Sequence, residues 1–282
     1  WSSDVCSSDL VKKVATLPPE LRMLRLTSDM FSFYTMNEFQ YFWKSKDVQD
    51  SLARWMAPIG ETARNNDVRL SFHPDQFVVL ASDRPEVVNK SIEEFEYHVD
   101  MARWMGFGKQ FQDIKINVHI SGRAGPEGIR QAYKRLSPEA RNSLTIENEE
   151  ITHDLHTVLQ IKDLVPIVLD IHHHWVNSGE YIQPTDDRVK MVIDSWRGIR
   201  PTMHYSVSRE EYLVDHPRDT LPSLNTLIES GLHKQKIRAH SDYFWNDACN
   251  NWALSFNDKF DIMCESKAKN LASMKLFETK NV

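Results

Sequence analysis

The sequence predicts an α/β protein of the (β/α)8 TIM-barrel class whose first strand is missing. Short apolar or β-branched segments alternate along the 282 residues with segments of helical periodicity. This alternation is typical of a parallel sheet covered by helices. The strand segments show little alternation of polar and apolar residues, which fits a sheet buried on both faces. Acidic residues and histidines recur where these segments end, and TIM barrels build their active sites at that end of their strands.

Seven segments fit the strand pattern, and amphipathic segments separate most of them. The predicted strands are Met23–Ser28, Val68–Pro74, Ile114–Ile120, Leu144–Glu149, Val165–His172, Thr202–Ser206 and Phe260–Glu265. The clearest predicted helices are Val48–Arg64, Pro85–Met105, Gly128–Asn142 and Asp186–Trp196. A closed barrel has eight strands, so we expect the remaining strand before Val11.

Two regions depart from this repeat. Residues 1–10, WSSDVCSSDL, resemble translated sequencing-adapter DNA and are left out of the fold prediction. Residues 11–282 are then expected to form a single domain. About fifty residues, 207–257, separate the last two predicted strands. A connection of this length is expected to be an inserted active-site loop.

Composition narrows the class of protein. The chain is 41% hydrophobic and 26% charged, which is ordinary for a water-soluble domain. No apolar run approaches the roughly 20 residues that span a bilayer, and no secretory signal is visible. The three cysteines form no CxxC pair, which indicates a reducing, cytoplasmic location. The formal charge of −6 argues against nonspecific coating of nucleic acid, although bound divalent cations would change the local charge.

The residues at the strand ends have the chemistry of metal ligands. They are His73, His119, Glu147, Asp170 with the following histidines, His204 and Glu265. Histidine and carboxylate without cysteine favour Mn, Zn or Fe, and more than four ligands imply more than one ion. Such clusters suit phosphodiester hydrolysis. Aldose isomerases use similar ligands on the same architecture, so these residues alone leave the substrate open.

The segment LDIHHHW (Leu169–Trp175) leaves one pairing open. Strict strand alternation places Asp170 and His172 on one face. If the strand instead ends and turns near Ile171, Asp170 pairs with His173. A second histidine pair, in THDLH (Thr152–His156), is more simply a helix start capped by Asp154 or Thr152.

Eight motifs together resemble the UV damage endonuclease family, over roughly Leu21 to Ala272. They are MLRLTSDMFSF, RLSFHPDQFVVLAS, NVHISG, LTIENEE, VPIVLDIHHHWVN, TMHYS, RAHSDY and DIMCESKAKNLA. The resemblance implies a TIM barrel that incises DNA immediately 5′ to UV photoproducts and so starts excision repair. It also implies two or three Mn²⁺ ions, with Zn²⁺ or Mg²⁺ as alternatives. The implied partner is damaged double-stranded DNA. The protein is expected to be a monomer that associates with the nucleoid and not with a membrane.

The same resemblance implies roles for individual residues. The implied metal ligands are His73, His119, Glu147, Asp170, His173, His204, His240 and Glu265. The implied catalytic residues are Glu147, Asp170, His204, Glu265 and Lys267. Gln76 and Phe77 match a lesion-probing pair in which Phe77 replaces the family's tyrosine. Thr202 replaces a carboxylated lysine that bridges metals in many members.

Three other functions are compatible with the same fold and ligand types. One is an apurinic-site endonuclease, a second is a sugar isomerase or epimerase, and a third is a catalytically inactive homologue.

Overall fold

The structure, a computed structural model, describes residues 2–74 and 78–280. It divides into two compact units, Trp1–Thr145 and Ile146–Val282. The fourth strand, β4 (Leu144–Glu147), contributes its first two residues to the first unit and its last two to the second. The predicted lesion-probing pair, Gln76 and Phe77, lies outside the described residues.

The first unit alternates helices with three strands and the start of β4. Its elements are α1 (Ser2–Ala15), β1 (Met23–Leu26), α2 (Gln40–Trp43), α3 (Lys46–Asn65), β2 (Arg69–Phe72), α4 (Pro85–Trp104), β3 (Lys115–His119), α5 (Gly125–Arg135) and α6 (Pro138–Ser143). Strands β1 and β2 are parallel, in a register that runs from Met23 opposite Arg69 to Leu26 opposite Phe72. Strand β3 continues the parallel sheet from β2.

The predicted helix Gly128–Asn142 is two helices, and its single span was wrong. Helix α5 ends at Arg135, and Leu136 is extended. Ser137 then caps α6 by accepting a hydrogen bond from the backbone N–H of Ala140, and Pro138 occupies the first helical position. Proline lacks the N–H that a continuous helix needs and disfavours helical geometry in the residue before it.

A buried histidine ties α4 to the segment that follows β1. His98 is fully buried; its Nδ1 lies 2.8 Å from the carbonyl oxygen of Glu94 and its Nε2 lies 2.8 Å from Ser28 Oγ. A carbonyl only accepts, so Nδ1 donates to Glu94 and the neutral ring accepts the Ser28 hydroxyl at Nε2. Tyr97 donates its hydroxyl to the Ser28 carbonyl oxygen. His98 therefore has a structural role in this unit.

The second unit repeats the alternation and contains the predicted insertion. Its elements after β4 are α7 (Leu155–Val158), β5 (Ile167–Asp170), α8 (Ile171–Ser178), α9 (Asp187–Ser195), β6 (Thr202–Tyr205), α10 (Leu224–Glu229), α11 (Lys234–Ile237), α12 (Asp247–Leu254), β7 (Asp261–Cys264) and α13 (Asn270–Lys280). Strands β4 to β7 are parallel and adjacent in sequence order. All seven predicted strands are thus present in the described chain, each shorter than predicted.

The insertion between β6 and β7 is folded, with α10, α11 and α12 inside it. Its returning segment makes an isolated antiparallel bridge between Ser208 and His240. The predicted cap of THDLH is confirmed, because Asp154 accepts a hydrogen bond from the backbone N–H of Thr157 at the start of α7. No helix within residues 2–74 and 78–280 is both long and apolar enough to cross a bilayer.

The burial of His98 predicts a loss of stability in mild acid. Burial lowers the pKa of His98 to about 4, against 6.5 for an ordinary histidine. The unfolded chain therefore binds the proton first, so the contribution is complete above pH 6.5 and is lost as the pH falls towards 4. Between pH 7.5 and pH 5 this single group is expected to cost about 2 kcal/mol of unfolding free energy.

Chemical denaturation of the unaltered protein and of His98→Gln at both pH values measures this loss. His98→Gln is less stable at pH 7.5, and its deficit should shrink by that amount at pH 5. The exposed His156→Gln is the matched control and should leave the pH dependence unchanged. An equal deficit for His98→Gln at both pH values would contradict the buried neutral state.

Candidate metal centre

The junction of β5 and α8 decides the pairing within LDIHHHW. Strand β5 ends at Asp170 and helix α8 begins at the next residue. Asp170 caps that helix, because its Oδ1 accepts a hydrogen bond of 2.7 Å from the backbone N–H of His173. An N-cap and the third residue of a helix lie on the same side of its first turn. The His173 ring accordingly lies beside Asp170, with Nδ1 3.7 Å from Oδ2.

The neighbouring histidines are engaged elsewhere. Ser208 Oγ donates to the carbonyl oxygen of Ile237 at 2.6 Å, so it accepts from His172 Nε2 at 3.1 Å. His172 Nδ1 then accepts from Ser206 Oγ at 2.8 Å, and burial lowers the pKa of His172 well below its usual range. His174 Nε2 lies 3.1 Å from Glu180 Oε2. Both histidines are almost completely buried.

Three side chains from successive strands of the second unit converge. Glu147 ends β4, Asp170 ends β5, and His204 lies opposite Asp170 in β6. Their ligand atoms all lie within 4.8 Å of one another, and all three residues are essentially inaccessible to solvent. His204 Nδ1 is 3.2 Å from Glu147 Oε2 and 3.5 Å from Glu265 Oε1. We call Glu147, Asp170 and His204 the acidic cluster.

The electrostatics of the acidic cluster are those of a cation site. Burial raises the pKa of Asp170 well above its usual range, against the opposing effect of His173. Burial lowers the pKa of His173, but Asp170, Glu147 and Glu150 outweigh this and raise it to about 9. Asp170 Oδ2 is buried and accepts no hydrogen bond from the described residues. Two buried carboxylates need compensating positive charge, and a divalent cation supplies it. These residues therefore fit a metal.

Two predicted site residues stand beside the acidic cluster rather than within it. The ring of His240 lies 6.4 Å from that of His173 and 6.1 Å from that of His172, between ring centroids. Lys267 is exposed on the segment after β7, two residues beyond Glu265. Its backbone N–H donates to the carbonyl oxygen of Ser241 at 3.1 Å.

Sequence reasoning missed Glu150, which faces His173 from the segment after β4. Its Oε2 lies 3.8 Å from His173 Nε2, and its other carboxylate oxygen pairs with Arg238. Net interactions with His173 and Arg238 lower the pKa of Glu150 despite its burial. The only signal was a third acidic residue in LTIENEE, beyond the end of the strand pattern.

In the first unit the predicted ligands His73 and His119 lie together. Their ring centroids are 5.0 Å apart. Asn117, which sequence reasoning also missed, is fully buried and places its Nδ2 3.3 Å from His73 Nε2. Thr145 Oγ1 in turn donates to Asn117 Oδ1 at 2.8 Å. Asn117 shares a strand face with His119, which was the available signal.

Thr202 occupies the position of the expected metal-bridging lysine, and its side chain is buried. It lies two residues before His204 in β6, on the same strand face. Within the described part of the chain, Thr202 Oγ1 has no hydrogen-bond partner.

The fold and the donor set define a TIM-barrel protein with a histidine–carboxylate centre. A family model described as UV-endonuclease UvdE matches residues 10–281. The chain belongs to this family.

Curated relatives carry the same description. The chain is 27% identical over 271 residues to a UV DNA damage endonuclease of Bacillus cereus strain G9842, covering 92% of this chain and 75% of that protein. It is 26% identical over 269 residues to a UV DNA damage endonuclease of Bacillus mycoides strain KBAB4, covering 91% and 74% respectively.

Solved structures confirm the TIM-barrel fold class. The crystal structure of SacUVDE matches with a TM-score of 0.75 and 24% identity, covering 99% of this chain and 85% of that one. Endonuclease IV from Thermus thermophilus matches with a TM-score of 0.61 and 12% identity, covering 97% and 92%. At these identities the matches speak for the fold alone.

Replacing single histidines tests which of them serves the metal centre. His173→Ala should weaken Mn²⁺ binding by more than about 100-fold, because loss of mere supporting residues already costs 10- to 100-fold. His172→Ala should lower thermal stability but change Mn²⁺ affinity by only a few-fold. Isothermal titration with MnCl₂ measures both affinities, with His174→Ala as the matched control. Metal binding lost in His172→Ala and kept in His173→Ala would show that strand alternation was the better guide.

Proposed function

We propose that this protein is a metal-dependent endonuclease that incises DNA immediately 5′ to UV photoproducts and so starts excision repair. Membership of the UvdE family supports a DNA endonuclease. The observation that carries metal dependence is the acidic cluster, in which Asp170 Oδ2 is buried without a hydrogen-bond partner among the described residues. Burying such a carboxylate is costly unless a cation accompanies it.

The proposed centre holds two or three divalent ions, with Mn²⁺ preferred and Zn²⁺ or Mg²⁺ as alternatives. The proposed ligands are His73, His119, Glu147, Asp170, His173, His204, His240 and Glu265. Imidazole and carboxylate donors without thiolate suit these ions. Bound ions at such a centre supply Lewis-acid activation of water and of the scissile phosphate.

The protein's own contribution is to hold these donors in place. Asn148 links the ends of β4 and β5: its Nδ2 donates to the Asp170 carbonyl oxygen at 3.0 Å, and its Oδ1 accepts from the Asp170 N–H at 2.9 Å. Asp170 cannot therefore shift without breaking two buried hydrogen bonds. Metal-free His173 holds a proton at neutral pH, and a metal would compete with that proton for the ring.

The other proposed roles concern the DNA and its reacting phosphate. Glu147, Asp170, His204 and Glu265 would hold the metal ions that activate the reacting phosphate, and the exposed Lys267 contacts a phosphate directly. Gln76 and Phe77 fill the gap left by a flipped lesion, with the Phe77 ring retaining the stacking face. A lesion weakens local stacking, so extruding it costs less than extruding normal bases.

The proposed partner is damaged double-stranded DNA. The proposed working state is a monomer whose residues 11–282 act as one catalytic domain, located with the nucleoid in the cytoplasm.

A plasmid nicking assay with Mn²⁺ tests this function. UV-irradiated plasmid should be nicked and unirradiated plasmid should not. Asp170→Asn keeps a side chain that caps α8 but removes the negative charge, so it should fold normally and lose at least about 100-fold in nicking rate. Asp194→Asn, an exposed change in α9, is the matched control and should keep full activity.

Equal nicking of both plasmids would refute lesion specificity. Faster cutting of an abasic-site oligonucleotide than of a dimer-containing one would instead indicate an apurinic-site endonuclease.

A further inference from the structure

An exposed basic surface lies on the second unit, in the segments that follow His240 and Glu265. It consists of Tyr243, Lys267, Lys269 and Lys275, which we call the basic strip. Lys267 and Lys269 lie on the segment after β7, Lys275 lies in α13, and Tyr243 lies in the insertion.

Backbone hydrogen bonds hold the two segments of the strip together. The N–H of Lys267 donates to the carbonyl oxygen of Ser241, and the N–H of Ala268 donates to that of Asp242, both at 3.1 Å. Lys275 Nζ lies 5.4 Å from the centroid of the Tyr243 ring, a cation–π distance. These contacts hold the segment after β7 and helix α13 against the insertion.

The positive charge of the strip is not neutralised locally. The three lysines are exposed, and none has an ion-pair partner among the described residues. Some exposed lysines elsewhere are paired: Lys46 lies 2.5 Å from Asp50, and Lys90 lies 2.7 Å from Glu93. In a chain of net charge −6, an uncompensated basic surface favours an anionic partner.

Exposed apolar area accompanies this charge. The Tyr243 residue is 39% exposed, and Leu271 and Met274 on α13 are 59% and 39% exposed. Lysines beside an accessible aromatic ring are what proteins use to hold a nucleic-acid strand, with ammonium groups on phosphates and the ring on a sugar or base.

The strip follows proposed site residues closely along the chain. Lys267 follows Glu265 by two residues, and Tyr243 follows His240 by three.

We propose that the basic strip binds the sugar–phosphate backbone of the DNA next to the incision point, with Lys269 and Lys275 on phosphates and Tyr243 stacked on a sugar or base. This inference rests on the proposed function and extends it to a backbone-binding surface. Because phosphates carry no sequence or lesion information, the strip binds damaged and undamaged duplexes equally.

The salt dependence of DNA binding tests this surface. Binding of a fluorescent duplex, with and without a UV photoproduct, is measured between 50 and 200 mM KCl. Lys269→Gln/Lys275→Gln should reduce the slope of log affinity against log salt by about 2, since each lost phosphate contact removes roughly 0.9. Tyr243→Leu should weaken binding about tenfold without changing the slope. Tyr243→Phe should bind as the unaltered chain does.

Lys162→Gln/Lys190→Gln is the matched control, with the same charge change at exposed positions before β5 and in α9. It should leave the slope unchanged. An unchanged slope in Lys269→Gln/Lys275→Gln, with normal nicking by the unaltered chain, overturns the strip but not the proposed function. A loss confined to the damaged duplex also overturns the backbone assignment. Absence of DNA binding by the unaltered chain overturns both.

Discussion

The hydrogen bond from the His173 backbone N–H to Asp170 Oδ1 determines which side chains of the second unit meet at the candidate metal centre. At 2.7 Å it ends β5, begins α8 and turns the His173 ring towards the acidic cluster. A cap of this kind contributes about 1 kcal/mol. Its larger effect is on the orientation of the side chains, because the same turn directs His172 to Ser206 and Ser208. One carboxylate thus shapes the backbone and offers its second oxygen to the candidate metal.

The negative charge of two buried carboxylates is the second constraint on the candidate metal centre. Glu147 and Asp170 are both fully buried, and the ion-pair partners described for them within the second unit are the histidines His173 and His204. Burial raises the pKa of Asp170, and despite burial the neighbouring carboxylates raise that of His173 to about 9. A divalent cation bound between the two carboxylates would offset their mutual repulsion, which is the basis of the proposed metal dependence.

The strands were predictable because each is a short run of apolar or β-branched residues. A histidine or an acidic residue recurs at the end of most of these runs. The end of β5 could not be predicted, because residues 170–174 fit a strand and a helix equally well. Only the recognition of Asp170 as an N-cap, a role that aspartate favours, decides between them. The split between α5 and α6 was visible in Ser137–Pro138, a helix start inside a helical pattern.

The supporting residues lay beyond sequence reasoning. Asn117 and Glu150 contact His73 and His173, and neither contact can be read from the sequence, although alternation places Asn117 on the strand face of His119. His240 lies in the folded insertion, where strand and helix periods give no position. The donors at the strand ends were thus easier to find than the residues that contact them.

The central claim is that the acidic cluster binds a divalent metal. Diffraction from crystals grown with MnCl₂, recorded at the manganese absorption edge, tests it directly. An anomalous peak within bonding distance of Glu147, Asp170 and His204 is the predicted result. Well-ordered crystals with manganese bound only elsewhere, or with a water hydrogen-bonded to Asp170 Oδ2 in place of a metal, would contradict it.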